Sequence, residues 1–315
     1  MKTILSLENV TKTYSGLTAV DHLSLDIQQG EIFGFLGPNG AGKTTTIQLI
    51  CGLLQADSGS ILYHFNGNGE NISAHYQHIG LCPQEIILWE RLTCYEQLIF
   101  MGHLYQLPAK MIKDKANRLL EDLDLMEKKT HLAKTLSGGM KRRLNITMAL
   151  IHDPQIIILD EPEAGLDPQS KVKVRNYIRS LASIKTVILT THNMDEADRL
   201  ADRVAIIDHG RLLVLDTPQN LKHQLGEGDI LDISIQSENQ RLQTEDFSFL
   251  APFSTKFTFI PEAATLSLHL LNGTAQLPKL LETIEEHGHH ATEIHIRENT
   301  LEDVFIQLTG RRLRE

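Results

Sequence analysis

The segment that most constrains how this chain folds lies near its amino terminus and reads Gly37-Pro38-Asn39-Gly40-Ala41-Gly42-Lys43-Thr44-Thr45. It follows the apolar run Ile32–Leu36 and precedes a run with helical spacing, so the pattern predicts a strand, a tight loop and a helix. Glycines let such a loop wrap closely, so that successive N–H groups face phosphate oxygens at the positive end of the helix dipole. We therefore expect a phosphate-binding loop in which Lys43 neutralises β- and γ-phosphate charge and Thr44 ligates Mg²⁺.

A second apolar run ends in two carboxylates and reads Ile156-Ile157-Ile158-Leu159-Asp160-Glu161. An uninterrupted apolar run of this length is typical of a strand buried on both faces of a parallel sheet, and ligands bind at the carboxyl ends of such strands. Because successive strand residues point to opposite sides, the two acids cannot share one role. We expect Asp160 to hold Mg²⁺ through its water shell and Glu161 to polarise an attacking water.

The hydrophobic pattern divides the chain into two parts. Up to about residue 225, short apolar strands alternate with helical segments, which predicts an α/β domain with a largely parallel sheet. Within it, the strand pattern disappears over about 92–150, which indicates a helical insertion. After Gly226-Glu227-Gly228 the apolar residues alternate with period two and are joined by two helical segments. We therefore expect a domain over 1–225 and a small α+β domain over 226–315.

Composition bears on partners and location. A formal net charge of −10 gives no overall basic face, so we do not expect nucleic acid as a partner. The short basic runs Lys141-Arg142-Arg143 and Arg311-Arg312-Leu313-Arg314 are typical of solvated helix faces or tails. The amino terminus lacks the apolar core of a signal peptide, and no apolar run approaches the roughly 18 residues that would span a bilayer. Any link to a membrane is therefore expected to go through a partner.

The three cysteines bear on the compartment in which the chain is expected. They show neither a pairing pattern nor a metal-ligand spacing, as is typical of a reducing cytoplasm. They are Cys51, Cys82 and Cys94.

The segment Leu136-Ser137-Gly138-Gly139-Met140 lies inside the helical insertion and opens a helical run that continues to Leu150. A serine followed by two glycines is typical of a helix N-terminus whose backbone N–H groups can meet an anion. Taken alone, these residues would equally suit a plain serine N-cap and a glycine turn. They occur, however, between the phosphate-binding loop and the acidic strand.

Together these motifs resemble the ABC ATPase family, in order and from about residue 4 to 220. The resemblance implies a P-loop NTPase fold, the ABC cassette, with a RecA-like core, an antiparallel β subdomain and a helical subdomain. It also implies roles that the single residues would not indicate by themselves: adenine stacking for Tyr14, Mg²⁺ and membrane-partner sensing for Gln84, the D-loop for Gly165-Leu166-Asp167, and the switch histidine near the γ-phosphate for His192.

In that family the LSGG element is the signature motif that completes the nucleotide site of a second subunit. The resemblance thus implies a homodimer, or a pair with a related ABC ATPase, in which two cassettes face head to tail. ATP and Mg²⁺ would lie between Lys43 of one chain and Ser137, Gly138 and Gly139 of the other. Hydrolysis would remove the γ-phosphate charge that both faces share, and the reopening pair would move membrane helices docked near Gln84.

Some residues point to a branch of the family. Met140 stands where many members have Gln, and the run Met140-Lys-Arg-Arg-Leu is similar to that of drug-resistance exporters. The segment Asn299–Phe305 is similar to the tail of daunorubicin-resistance-type ATPases, which implies a dimer-stabilising or regulatory domain, with substrate binding as the alternative. The insertion lacks the acidic, Gly-containing segment of exporters with fused membrane domains, which favours separately encoded permease subunits. We expect an ATPase at the cytoplasmic face of the membrane that drives export of drug-like or lipophilic compounds.

Other hypotheses remain at this stage. A soluble ABC ATPase acting on DNA normally carries long coiled coils, and one acting on ribosomes carries two cassettes, and the sequence shows neither. The run His287-Gly288-His289-His290 could bind a metal, but no carboxylate or cysteine completes it. Trp89 and Phe100 could line the groove for the membrane subunit or belong to the core. The direction of the Glu163 carboxylate, where Thr or Ser is more usual, cannot be read from sequence.

Overall fold

The computed structural model describes residues 2–65, 76–182, 184–224, 229–236, 242–254, 257–270 and 273–309. The chain divides into two compact units, Met1–Pro218 and Gln219–Arg311. The expected boundary at 225–226 and the basic run Arg311–Arg314 lie outside the described residues.

The first unit alternates strands and helices along most of its length. Its elements are β1 (Thr3–Tyr14), β2 (Leu17–Gln28), β3 (Ile32–Leu36), α1 (Lys43–Ile50), β4 (Ser58–Tyr63), β5 (Ile79–Cys82), α2 (Cys94–Leu104), α3 (Ala109–Asp122), α4 (Gly138–Leu150), β6 (Ile156–Asp160), α5 (Pro168–Ala182), β7 (Thr186–Thr191), α6 (Met194–Leu200), β8 (Arg203–Asp208) and β9 (Arg211–Asp216).

A six-stranded sheet forms the centre of this unit, in the order β5-β6-β7-β3-β8-β9. All neighbouring strands are parallel except β9, which pairs antiparallel with β8. A separate antiparallel sheet has the order β2-β1-β4. The predicted α/β fold class with a largely parallel sheet is therefore confirmed.

Alternation within the buried strands explains how the central sheet is covered on both faces. Ile156 and Ile158 pack into one core cluster with α1 and the antiparallel sheet. Ile157 and Leu159 pack into another with α5. Every residue of β6 is buried, as expected for a parallel strand covered on both sides. Cys51, Cys82 and Cys94 are unpaired thiols.

Three helices, α2, α3 and α4, occupy the stretch that the sequence indicates as a helical insertion. Thr93 and Glu96 form a capping box at the start of α2, in which each side chain accepts the other's backbone N–H. Ser137 caps α4 by accepting a hydrogen bond from the Met140 backbone N–H at 3.3 Å. The serine cap expected from the sequence thus begins α4.

The second unit is built around an antiparallel sheet in the order β11-β12-β10-β13. Its elements are α7 (Pro218–Gln224), which begins at the boundary, β10 (Asp229–Gln236), β11 (Phe257–Ile260), β12 (Thr265–Leu270), α8 (Gly273–Glu286), β13 (His290–Arg297) and α9 (Leu301–Thr309). Leu266, Leu268 and Leu270 pack inward and the residues between them are half-buried, as period-two alternation predicts.

The histidine run of the second unit packs against phenylalanines. The His287 ring stacks on Phe249 with 3.9 Å between centroids, and its Nδ1 lies 2.8 Å from the Thr283 carbonyl oxygen. The His289 ring lies 5.0 Å from the Phe247 ring. In the described part of the chain, no three His, Cys, Asp or Glu side chains form a group that could hold a metal ion. The buried His289 therefore extends the aromatic core of this unit, while the exposed His287 stacks at its surface.

None of the helices in the described residues is both long enough and apolar enough to cross a bilayer.

Candidate functional site

The order of the strands brings four loops to one edge of the central sheet. The loop with Gln84 follows β5, and the phosphate-binding loop follows β3. Glu161 comes directly after β6, and His192 directly after β7. Because β5, β6, β7 and β3 are consecutive neighbours and parallel, their carboxyl ends lie side by side. This is the edge at which ligands bind in open parallel sheets.

Two glycines of the phosphate-binding loop are required by close backbone contacts. A Cβ on Gly37 would lie 2.2 Å from the Ile207 carbonyl oxygen, and one on Gly42 would lie 2.2 Å from the Ala19 carbonyl oxygen. Gly42 also has a φ of 102°, in the region that side chains disfavour. The loop is therefore pressed against β8 and β2, and its conformation is set by packing.

Lys43 opens α1 and its ammonium lies over this loop. Nζ donates to the carbonyl oxygens of Gly37 at 2.7 Å and Pro38 at 3.0 Å. Burial lowers the pKa of Lys43, and the nearby carboxylates of Glu161 and Asp160 oppose that shift. The lysine charge thus faces both acids at the sheet edge, where it can neutralise phosphate.

Glu161 has an unusual backbone conformation. Its φ is 48°, in the left-handed region, which costs a residue with a side chain about 1–3 kcal/mol. Its N–H donates to both the carbonyl oxygen and Oγ1 of Thr190, each at 3.1 Å. The chain therefore turns sharply where β6 ends, and the turn presents the Glu161 side chain to the neighbouring loops.

Both carboxylate oxygens of Glu161 are engaged. Gln84 Nε2 donates to Oε2 at 2.9 Å, and His192 Nδ1 lies 2.8 Å from Oε1. Because an ionised carboxylate only accepts hydrogen bonds, Nδ1 is the donor in this contact, and Nε2 remains as the second polar atom of the ring. The structure therefore places Gln84, Glu161 and His192 in one hydrogen-bonded group.

Asp160 lies beside this group and points elsewhere. Its carboxylate is buried and accepts a hydrogen bond from Thr190 Oγ1, while Thr44 is exposed at the start of α1. Mg²⁺ in nucleotide sites is usually held by one or two such groups together with phosphate and water oxygens. The Asp160 carboxylate at the end of β6 and the Thr44 hydroxyl in the first turn of α1 fit that donor set, to which the Gln84 amide oxygen could add.

Glu163 is bonded to α5 and not to Gln84 or His192. Its carboxylate accepts two hydrogen bonds from Arg175 on α5, from Nε at 2.9 Å and from Nη2 at 2.7 Å. The bond to Glu163 raises the pKa of Arg175. The extra acid that the sequence could not orient therefore forms a two-point ion pair that ties the turn after β6 to α5.

The start of α4 has one open and one crowded glycine. Ser137 and Gly138 are exposed, and a Cβ on Gly138 would meet nothing within 4 Å. A Cβ on Gly139 would lie 2.3 Å from Ser170 Oγ, which itself donates to Asp167 at 2.6 Å. Gly139 therefore packs against the D-loop of its own chain.

Five predicted residues lie apart from the hydrogen-bonded group of Gln84, Glu161 and His192. In the described part of the chain, no hydrogen bond joins Ser137, Gly138 or Gly139 to the phosphate-binding loop. Asp167 instead caps α5 by accepting from the Ser170 N–H and hydroxyl. Tyr14, at the end of β1, has 41% of its surface exposed and lies 5.6 Å from Lys12 Nζ, so its ring is accessible for stacking.

Arg142 belongs to this site although its sequence context did not predict it. Arg142 and Arg143 are buried, with 2% and 6% of their surfaces exposed, so the expectation of a solvated helix face is wrong for both. Arg142 donates to the carbonyls around Asp160 and Gln84. The signal that could have found it is the apolar run that follows on the same helix, with Leu144, Ile146, Met148, Ala149 and Leu150.

Comparison with known proteins places these residues in context. A family model described as ABC transporter matches residues 20–164, which include the phosphate-binding loop, Gln84, the LSGG segment and Glu161. The linearmycin resistance ATP-binding protein LnrL of Bacillus subtilis (strain 168) is 37% identical over 317 residues, covering 99% of this chain and 100% of that protein. The daunorubicin resistance ATP-binding protein DrrA3 of Streptomyces coeruleorubidus is 34% identical and covers 99% and 98%.

Solved structures agree with these relatives. An ATP-binding subunit of an ABC transporter superposes with a TM-score of 0.64 at 26% identity, covering 71% of this chain and 94% of that one. A cassette solved as a dimer in a post-hydrolysis state with ADP and Pi superposes with a TM-score of 0.61 at 26% identity, covering 68% and 98%. The expected cassette fold is therefore confirmed.

Proposed function

The chain belongs to the ATP-binding proteins of ABC transporters, and from that premise we propose that it powers a multi-subunit exporter as one of two cassettes with shared ATP sites. It is an ABC ATPase. The observation that carries the proposal is the group formed by Gln84, Glu161 and His192 beside Lys43. None of the relatives named above is described by a role on DNA or ribosomes.

This geometry supports the following hydrolytic step. As a water oxygen bonds to the γ-phosphorus and the bond to the β–γ bridging oxygen breaks, Glu161 accepts a proton from that water. His192 and Gln84 hold the Glu161 carboxylate in place, and in the imidazolium form His192 Nε2–H can donate to a γ-phosphate oxygen. Mg²⁺, held by Thr44, Asp160 and Gln84, would neutralise charge on the phosphates. Lys43 adds a positive charge beside them.

The start of α4 supports the pairing of two cassettes. Ser137 and Gly138 present the N-terminus of a 13-residue helix to solvent, with its positive dipole end and unpaired N–H groups. In the described residues no hydrogen bond links them to their own phosphate-binding loop. We propose that they bind the γ-phosphate held by Lys43 of a second chain, in a homodimer or with a related ABC ATPase, while Tyr14 stacks on adenine.

Mixed dimers test the pairing. Ser137→Asp keeps a good N-cap but opposes a carboxylate to the γ-phosphate, and Lys43→Ala removes the phosphate charge partner. If sites are shared, a dimer of one Lys43→Ala chain and one Ser137→Asp chain carries both lesions in one site and retains one intact site. We expect about one ATP occluded per dimer, measured with differently tagged chains.

The reciprocal combination is the control. A dimer of one wild-type chain and one chain with both substitutions should have a lesion in each site and occlude no ATP. If instead each chain completes its own site, this dimer would occlude one ATP and the first combination none. Ser137→Asn, a neutral residue with a similar capping preference, should preserve occlusion in both designs.

An apolar cavity beside Gln84 supports a membrane partner. It has a volume of about 310 Å³ and is lined by residues that follow α1 and β5 and by residues of α2 and α4. Trp89 lines it with 40% of its surface exposed and meets the exposed Phe100 edge to face, with 4.9 Å between centroids. These two rings are therefore surface residues, and the core-packing alternative is wrong. We propose that a permease subunit inserts a helix here.

Substitution of Trp89 tests this contact. Trp89→Asp places a charge in the apolar cavity, so we expect the chain to lose retention on membranes that contain its permease, and to keep ATP affinity. The matched control is Ile184→Asp, which alters an exposed apolar residue at the opposite edge of the central sheet. Equal membrane retention of wild type and the Trp89 variant in a flotation assay would contradict the proposal.

The relatives suggest what the transporter moves. LnrL and DrrA3 are named for resistance to linearmycin and daunorubicin, and a further relative of 37% identity, from Ralstonia nicotianae, is named for Nod factor export. We propose export of drug-like or lipophilic compounds through separately encoded permease subunits, with this chain at the cytoplasmic face of the membrane. We assign residues from about 226 onward to a regulatory or dimer-stabilising domain.

A further inference from the structure

The guanidinium of Arg142 is fully used by backbone carbonyls of two loops. Nη1 donates to the carbonyl oxygens of Pro83 at 2.6 Å and Gln84 at 3.1 Å. Nη2 donates to those of Asp160 at 2.5 Å and Glu161 at 2.9 Å, and Nε donates to that of Pro162 at 3.3 Å. An arginine has five N–H donors, so each has one acceptor here.

Burying the Arg142 cation costs free energy that its hydrogen bonds must offset. Arg142 is 2% exposed, and in the described part of the chain no carboxylate lies within ion-pairing distance of it. A buried cation without a charged partner depends entirely on its hydrogen bonds to remain folded in place. Five carbonyl dipoles supply them, and a shift of either loop would leave donors unpaired.

The carbonyls that Arg142 binds flank the strained residue. Glu161 has a φ of 48°, and such a conformation persists only where its surroundings over-determine it. Thr190 fixes the Glu161 N–H, while Arg142 fixes the carbonyls immediately before, at and after Glu161. Through Pro83 and Gln84, the same side chain fixes the loop whose amide holds the Glu161 carboxylate.

Arg142 also belongs to the helix that begins at the exposed Ser137 and Gly138. A displacement of α4 therefore reaches the carbonyls of Glu161 and Gln84 through one side chain. We propose that Arg142 is a positioning residue for hydrolysis: it maintains the strained backbone of Glu161 and couples it to the start of α4 and to the Gln84 loop. This inference rests on the proposed role of Glu161 as the base.

Kinetics of Arg142 variants test the proposal in the full chain. Arg142→Gln retains two donors on a shorter stem, and misplacement of a catalytic group by about 1 Å can cost about 10²-fold in rate. We expect kcat to fall by about that factor, with KM for ATP within about threefold of wild type, because the phosphate-binding loop is untouched. Arg142→Lys should recover part of kcat, and added guanidinium ion should partly rescue Arg142→Gln.

A double-mutant cycle separates positioning from folding. If Arg142 acts through Glu161, Arg142→Gln should lower the residual hydrolysis of Glu161→Gln by less than about threefold. The control is Arg143→Gln, which removes another buried arginine of α4, one that donates to the Leu123 carbonyl at 2.7 Å. It should lower the melting temperature and leave kcat per folded molecule unchanged.

The outcomes discriminate between the two claims. If Glu161→Gln turns over normally, the proposed function of Glu161 fails, whatever Arg142 does. If Glu161→Gln is inactive while Arg142→Gln keeps wild-type kcat, or raises KM as much as it lowers kcat, only the positioning role is overturned. Failure of guanidinium and of Arg142→Lys to restore any activity, with equal losses in both backgrounds, would reduce Arg142 to a folding role.

Discussion

Glu161→Gln is expected to lower kcat for ATP hydrolysis by about 10²–10⁴-fold and to leave ATP binding intact. The amide has nearly the same shape and keeps one acceptor oxygen for Gln84 or His192, but it cannot accept the proton of the attacking water. Because the γ-phosphate then persists, the variant should accumulate as a closed dimer with ATP, visible by size-exclusion chromatography.

A second variant serves as the control for this result. Glu163→Gln changes a neighbouring acid that is bonded to Arg175, so it should destabilise the chain without trapping ATP. Undiminished single-turnover hydrolysis by Glu161→Gln would rule out its role as the base and would leave the chemistry to another group. Trapping by both variants would show that charge in this region, rather than proton acceptance, limits the reaction.

Gly139→Ala is expected to damage the chain itself, whereas Gly138→Ala should damage only the shared site. A Cβ on Gly139 would lie 2.3 Å from Ser170 Oγ and 2.9 Å from Ser170 Cβ. Rotation of the hydroxyl would break its bond to Asp167 and would still leave the second clash, so α5 or α4 must move. Overpacking of this kind costs about 1–3 kcal/mol. Displacement of the D-loop should also lower kcat by about 10²-fold.

Thermal unfolding and kinetics measured together test this contrast. Gly138→Ala has open space around its Cβ, so its melting temperature should equal or exceed that of wild type while its dimer hydrolyses ATP more slowly. Ser170→Gly removes both clashing atoms, so stability should recover in Gly139→Ala/Ser170→Gly relative to Ser170→Gly alone. Equal melting temperatures for the two single glycine variants would refute the packing argument.

The predictions from sequence hold where a functional motif is contiguous in the chain. The phosphate-binding loop is local, because its glycines, Lys43 and the helix that follows are contiguous. Glu161 follows a strand whose apolar character identifies it. The sequence could not show that the strands carrying Gln84, Glu161 and His192 are direct neighbours, because strand order depends on long-range pairing.

Three features were not predicted from the sequence: the burial of Arg142 and Arg143, the strand β11 and the backbone conformation of Glu161. Lys141, Arg142 and Arg143 are all long, positively charged side chains, yet only Arg142 and Arg143 are buried. Period-two alternation over Phe257–Ile260 was present in the sequence and forms β11, which we did not predict. The left-handed conformation of Glu161 has no sequence signal at all, because it is imposed by Thr190 and Arg142 from other elements.

The pair between Glu163 and Arg175 constrains how this branch could have diverged. Replacing Arg175 first would leave the buried Glu163 carboxylate unpaired near Glu161 and Glu196. Burial already raises the pKa of Glu196 to about 7. Replacing Glu163 first is less damaging, because Arg175 is more exposed and still senses the charges of Glu196 and Asp195. A lineage with Thr or Ser at position 163 would therefore gain Arg175 before Glu163. In the reverse direction it would lose Glu163 before Arg175.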